Sequence, residues 1–568
     1  MHPVMRPALV LLVSTLTSLG VLWLTDQDDG PGRVALEAAA STSSADYRLD
    51  DLLLVRETLR YVRDSYVEPS REDPERMFDA ALDAVERQVP DVMFERDGER
   101  VEIHIGAWRS TQWVEPVRRL EDLPDRLEPF AVLLRQHLPA AHIPGPDPRL
   151  DPLAMIEVAM ANGVLGTLDP HSILLPPEAS REMDVENRGE FGGLGINIIM
   201  EDGHLVVEYA MPDTPAARAG LRARDRIRRI NGYPTINMTM DEAIERLRGP
   251  VGEPVTLEIV RDGVEAPFNV PVYRANIQLA PVEAFPLGGG YGYARIRAFH
   301  STVAADLRAE LQALVRGEGE LKGLVLDLRD NPGGYLSQAI AVSNLFIADG
   351  ELVSTRGPRD DSPRVERADA NEATASYPLV VLANANSASA SEIVAGALRN
   401  NERAVIVGER TFGKGSVQNL HDIVYDSKLK ITVAQYFTPG QRSIQSVGIP
   451  ADVEIVPTWV GPRGGEPGRI GGASSPWFGA SLFSRDRLRR EADLDEHLDG
   501  QADAAGLEPA WSLRVLRAWD GPDRSAEDRP DPKVDPELRA ALGILQVAPA
   551  PRRPEMLDAA SRLIRRER

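Results

Sequence analysis

Three short runs hold the residues best placed to do chemistry, and the first reads two ways. In GERTFGKGS, residues 408–416, Gly408, Gly413 and Lys414 fall at the spacing of a phosphate-cradling loop. Such a loop needs Ser or Thr directly after the lysine, to bind magnesium, and then a helix whose amides hold the phosphates. Residue 415 is glycine, and the following SVQNLHDIVYDSKLKITVAQYF is strand-like. Both points disfavour a nucleotide site. The alternative is Lys414 as a general base, which requires burial to favour the neutral amine. Phe412 and the flanking Gly413 and Gly415 are compatible with a tight, poorly solvated setting.

The second run is ANANSASASEIVAGALRN, residues 383–400, with serines at 387, 389 and 391 between an apolar strand and a helix. A serine at such a turn sits near the positive end of the helix dipole, where developing negative charge is stabilised. Ser389 with Glu392 also makes an ordinary Ser-x-x-Glu capping box. The third run, LVLDLRDNPGGYL, residues 324–336, ends a strand in a Gly-Gly turn able to present backbone N–H groups to a site. No Gly-x-Ser-x-Gly elbow is present, which disfavours a standard esterase. His171, His300 and His421 are candidate bases but fit structural roles better.

The elements that must position these runs are legible in outline. Residues 48–88 carry apolar residues at helical spacing. Residues 89–150 hold a candidate strand, RVEIHI, and a Pro-rich link. A helix, LAMIEVAMANGVLGTL, leads into LDPHS. Residues 188–273 alternate like short strands punctuated by Pro, Asp and Gly, with one amphipathic helix, TMDEAIERLRG. Residues 274–456 alternate strand and helix, the pattern of an α/β layered core. Beyond 456 the chain reads as Gly/Pro-rich linkers, 460–478 and 521–535, and charged helical satellites. The expectation is a multidomain α+β protein: a helical N-terminal region (31–187), a β-rich module, an α/β core and a helical C-terminal tail.

Composition excludes several functions. The chain has 568 residues, 64 basic against 87 acidic, for a net charge of −23 and no long Lys/Arg run, so nucleic acid is an unfavourable partner. There is no cysteine, which removes disulfides, thiolate nucleophiles and Cys-ligated zinc. Residues 7–24, PALVLLVSTLTSLGVLWL, are uncharged between Arg6 and Asp26. That polarity and length suit an exported chain with a membrane anchor or signal peptide. The expectation is an extracytoplasmic location, the bacterial periplasm, with a preference for an uncleaved anchor.

SASASEIVAGAL with RAVIVGERTFGKGSVQ resembles the carboxyl-terminal processing peptidases, also called tail-specific proteases, over roughly residues 150–456. The resemblance implies a crotonase/ClpP-like core and a serine endopeptidase that acts near substrate C-termini without metal or cofactor. It implies Ser389 as nucleophile, Lys414 as base, Gln418 as the residue orienting that lysine, and Ala390 with Gly333 or Gly334 as oxyanion donors. FGGLGI, residues 191–196, is similar to the carboxylate-binding loop of PDZ domains. Gly193, Leu194, Gly195 and Ile196, with Ile244 and Leu247 from the helix, are then the expected pocket for an apolar C-terminal tail. LDPHS is family-like and read as structural. Residues 89–150 and the tail beyond 456 depart from the family pattern, which leaves a regulatory adaptor and homo-oligomerisation open. Two competing readings remain: an inert PDZ scaffold, and a Ser–His hydrolase using His171 or His421.

Overall fold

The computed structural model describes residues 47–462, except 145–148, 188–189, 359–362 and the single positions 202, 212, 237, 239 and 279. It also describes 480–483, 490–500, 509–518 and 530–567, except 534, 549 and 550. The candidate membrane segment 7–24 lies outside the described residues. No helix among the described residues is long and apolar enough to cross a membrane.

The N-terminal region builds one core from helices Leu53–Ser65, Pro74–Gln88, Leu123–His137 and Ala154–Gly166. Asp73 caps the second of these, its side chain accepting from the Arg76 amide, with Pro74 at the first helical position. Residues 92–113 form an antiparallel meander, Val92–Asp97, Arg100–Ile105 and Trp108–Trp113. Val101, Ile103 and Ile105 alternate inward to the helices, as a half-buried strand must. The candidate strand RVEIHI is the middle one.

A second body is a six-stranded antiparallel sheet. Its spatial order is Phe268–Tyr273, Pro254–Val260, Arg226–Ile230, His204–Ala210 and Ile196–Glu201, with Tyr233–Pro234 beside the third. Leu205, Val207, Ile227, Leu257 and Ile259 pack under helix Met240–Leu247. Ile196–Glu201 is the outer strand. A short ladder of Glu190–Gly193 with Ala275–Gln278 ties the entry and exit of this body together.

The α/β core is a sheet in the order Val282–Gly288, Tyr291–Ile296, Gly323–Asp327, Leu379–Ala383, Ala404–Gly408 and Val453–Pro462. From Tyr291–Ile296 onward these pairs are parallel. Side chains alternate between two covers. Leu324, Leu326, Val381 and Ile406 face helices Val303–Glu318, Leu336–Phe346 and Ala390–Asn400. Val325, Val380, Leu382, Val405 and Val407 face Leu538, Ala541, Ile544 and Met556 of the tail helices Pro536–Val547 and Arg553–Glu567.

The tail differs from its expected form in two respects. Its helices are one of the two layers over the core sheet, and it also supplies strands. Ala480–Phe483 and Trp511–Ala518 both pair with Val453–Pro462, the second in parallel. The reason is physical. Parallel strands buried on both faces need two covers, and their outer strand needs a neighbour or a cap.

Candidate active site

The three reactive runs meet at the carboxyl ends of three adjacent parallel strands. NPGG follows Gly323–Asp327, SASAS follows Leu379–Ala383, and FGKG follows Ala404–Gly408. Open α/β sheets bind ligands at that edge.

The serine turn is sorted by its hydrogen bonds. Ser387 Oγ donates to Leu328 O (2.8 Å) and Ser391 Oγ to Asn331 O (2.9 Å), tying the turn to the LDLRDN strand end. The Ser389 hydroxyl is buried and hydrogen-bonds to nothing. Glu392 Oε2 accepts from the Ser389 amide at 2.8 Å, one half of the capping box. Ser389 stands at φ 57°, ψ −115°, a conformation that costs a non-glycine residue about 1–3 kcal/mol. A strained residue with a free hydroxyl at a helix N-terminus is held there by the surrounding structure.

Glu392 is the hub. Its Oε2 also accepts from the Lys414 amide at 2.9 Å, so one oxygen joins the backbones of Ser389 and Lys414. Its Oε1 takes Thr411 Oγ1 (2.6 Å) and the Gly413 amide (2.8 Å). Burial pushes this carboxyl up to about 7 against those hydrogen bonds.

The Lys414 Nζ is buried without a hydrogen bond. Desolvation lowers its pKa, opposed by the charges of Glu491, Asp169 and Glu392 in that order. This is the environment a lysine base requires. Lys414 and Ser389 do not hydrogen-bond each other here, and such bonds are commonly long until substrate is bound. Tyr436 donates to Lys414 O and lies against Ser389. Gln418 donates to Ser416 Oγ (2.9 Å) and Thr432 Oγ1 (3.3 Å), while its Oε1 is buried without a donor. It lies in the site but is not bonded to Lys414.

Gly333 packs directly against the serine: a Cβ there would lie 2.7 Å from that of Ser389 and 3.1 Å from the Ala390 nitrogen. With φ values of 110° and 139°, Gly333 and Gly334 occupy conformations open to glycine. The Gly333 amide is committed to Asn331 Oδ1 at 2.9 Å. The Gly334 and Ala390 amides have no acceptor among the described residues.

LDPHS, read as structural, is part of the wall. Asp169 Oδ1 accepts from His171 N (2.8 Å), Ser172 N (3.0 Å) and Thr432 Oγ1 (3.0 Å), the last also being the Gln418 contact. His171 Nε2 lies 2.9 Å from both oxygens of Glu491. His421 stacks on the Tyr61 ring at 4.3 Å. Neither histidine hydrogen-bonds Ser389. Glu491 was missed by sequence reasoning: it lies 77 residues beyond Lys414 and carries no motif.

In the six-stranded body, Gly193 ends the tie ladder, opposite Ala275. Leu194 and Leu247 are buried in its core, with Ile196 against them. Ile244 is half-buried on the helix and stands outside that core. Gly195 has φ 73° and packs so tightly on Thr214 that a Cβ would lie 2.3 Å from that of Thr214.

The model of peptidase family S41 matches residues 290–455, and that of the PDZ domain residues 206–261. The carboxy-terminal-processing protease of Bartonella bacilliformis is 42% identical over 308 residues, covering 54% of this chain and 70% of the relative. The carboxyl-terminal-processing protease of a Synechocystis species is 39% identical, over 52% of this chain and 69% of its own. Among solved structures, the photosystem II D1 C-terminal processing protease is 25% identical, with a TM-score of 0.40 over 71% of this chain and 92% of that one. By the family matches and these relatives, the chain belongs to the S41 serine peptidases and carries a PDZ domain. Within that class, the chain belongs to the carboxy-terminal-processing proteases.

Proposed function

We propose that Ser389 is the nucleophile and Lys414 the general base of this C-terminal-processing endopeptidase. Neutral Lys414 takes the Ser389 proton as the hydroxyl attacks the scissile carbonyl. The amides of Ala390 and Gly334 hold the oxyanion, and Gly333 leaves room for it. Lys414 then protonates the leaving amine, and water hydrolyses the acyl-enzyme. The observation that carries this reading is the single Glu392 oxygen accepting from both the Ser389 and Lys414 amides.

The PDZ domain is proposed to capture apolar C-terminal tails. Ile196–Glu201 is an outer strand, available for a peptide to add as a further strand, and the 193–196 turn begins it. The inert-scaffold alternative is disfavoured by a site with a free serine hydroxyl and an unpaired buried amine. Export, with anchoring by residues 7–24, is supported by that run's lack of charge between Arg6 and Asp26.

The test compares Ser389→Ala and Lys414→Ala with the wild type on an unstructured protein ending in an apolar residue. Both variants are expected to bind the tail and lose hydrolysis by at least about 10³-fold. Wild-type cleavage by Ser389→Ala would remove the assignment.

A further inference from the structure

The tail segment 490–500 docks against the Lys414 loop although far from it in sequence. Glu491 N donates to Phe412 O at 3.3 Å, two residues before the lysine. Glu491 Oε1 accepts from Gln445 Nε2 at 3.0 Å, and Gln445 Oε1 accepts from the Gly415 amide at 2.9 Å, one residue after it. The loop is therefore gripped on both sides of Lys414. The other face of the carboxylate takes His171 Nε2, which must carry the proton because a carboxylate only accepts. Glu491 is fully buried. Downstream, Leu498 O accepts from Ser446 Oγ (2.8 Å) and Gln445 Nε2 (3.2 Å). Arg71 donates to Glu496 O (2.9 Å) and His497 O (2.8 Å), and Arg76 pairs with the Glu496 carboxylate.

We propose that Glu491 is a positioning residue of the peptidase site, and that segment 490–500 is a clasp setting up Lys414 when the tail is docked. The segment bonds both to the N-terminal region and to the lysine loop, so tail docking and the state of the base become one event. Six groups bear on Lys414. Glu491, Asp169 and Glu392 favour its charged form, while His171 and Lys430 are mutually repelled by it when charged. Tyr436, whose hydroxyl is spent on Lys414 O, stays neutral because burial pushes its phenol well up. Removing the Glu491 charge lowers the proton affinity of Lys414.

The inference rests on Lys414 being the base, and its test separates the two. The chain has only five lysines, so ε-13C-lysine labelling gives five resonances, with Lys414 assigned by Lys414→Arg. Its titration is read in Ser389→Ala protein, without turnover. Glu491→Gln keeps the shape, and His171 can switch tautomer to accept from the new amide. It is expected to lower the Lys414 midpoint by about one pH unit. In Ser389-intact protein the acid limb of kcat/KM should fall in step, with the alkaline plateau kept. Glu491→Ala opens the clasp and is expected to cut plateau kcat by about tenfold or more with KM little changed. Should Glu491→Ala fail to fold, Arg71→Ala/Arg76→Ala loosens the segment with Glu491 intact and is expected to lower plateau kcat likewise. An unchanged Lys414 midpoint in Glu491→Gln, or a wild-type plateau in whichever clasp-opening variant folds, overturns the proposal. A midpoint shift without an acid-limb shift supports the contact and removes Lys414 as the base.

Discussion

At the scale of single residues, the site spends stability on reactivity. Lys414 is buried with no hydrogen bond to its amine, and desolvation lowers its pKa. A lysine whose folded-state pKa lies below its unfolded value of about 10.4 gains a proton on unfolding. Its contribution therefore worsens as pH falls from about 10 toward the folded pKa, and is absent above both values. Lys414→Met removes the amine and keeps the length. It is expected to abolish hydrolysis yet raise stability near neutral pH by roughly 1–3 kcal/mol, with a gain that shrinks as pH rises to 10. Thermal melts across that range check it, and a destabilised Lys414→Met would mean that the amine has a partner. On the proposed role of Lys414 as base, activity is expected to fall as pH drops through the lowered lysine pKa, because only a neutral amine can accept the serine proton. Sequence alone singled out Ser389, Lys414 and Gln418 as candidates, through a family resemblance. The serine's own segment, taken alone, favoured Ser389 as a helix cap, and both readings put the same serine at the same turn. What separates them, a hydroxyl with no partner, is a property of the folded chain.

At the scale of elements, strand ends and loops place the chemistry, and the ion pairs behind them keep the strand ends in place. Asp327, fully buried, ends the strand before NPGG and is held by Arg329 at 2.6 Å and by the Tyr293 hydroxyl at 2.8 Å. Burial alone would push its carboxyl up; the Arg329 charge and hydrogen bonds outweigh this and hold it below the ordinary range. Arg329 also pairs with Asp535 (2.8 Å) and Glu537 (2.5 Å) at the start of tail helix Pro536–Val547. Arg329→Met removes the guanidinium paired with the buried Asp327, leaving only the more weakly acting Arg295 charge, and is expected to cost roughly 3–5 kcal/mol. Denaturant melts with proteolysis of the tail helix check this, and a loss under 1 kcal/mol would refute it. In the PDZ domain, Gly195→Ala meets both a positive φ and the Thr214 side chain. It is expected to weaken tail-peptide binding at least about tenfold by fluorescence anisotropy, while hydrolysis of a short peptide lacking a tail is retained. The strands themselves were legible: GLVLD, LVVLA and AVIVG are apolar at nearly every position. That distant tail helices supply a second cover over this sheet was not read from the sequence, because it depends on tertiary packing that no local pattern encodes.

At the scale of the whole molecule, the C-terminal tail is the unexpected organiser. Its helices close one face of the core sheet, its strands extend that sheet, and its segment 490–500 grips the Lys414 loop. A second anchor ties it down: Asp452, buried at the end of the core, pairs with Arg399 at 2.9 Å and with Arg553 of the last helix at 2.6 Å. The tail is therefore part of the folding unit rather than an appendage. A chain ending at residue 529 would lack both tail helices. Val325, Val380, Leu382, Val405 and Val407, each fully buried, would then meet water on one contiguous face. An apolar patch of that kind drives association. The shortened chain is expected to enter the insoluble fraction, or to elute as aggregate and bind an apolar dye strongly. Gel filtration with dye fluorescence decides the matter. A soluble monomer with wild-type turnover would show that the sheet face tolerates exposure and that the two helices are dispensable. Aggregation would be expected to persist with Ser389→Ala in the same truncated chain, because the exposed face, and not self-cleavage, is its cause.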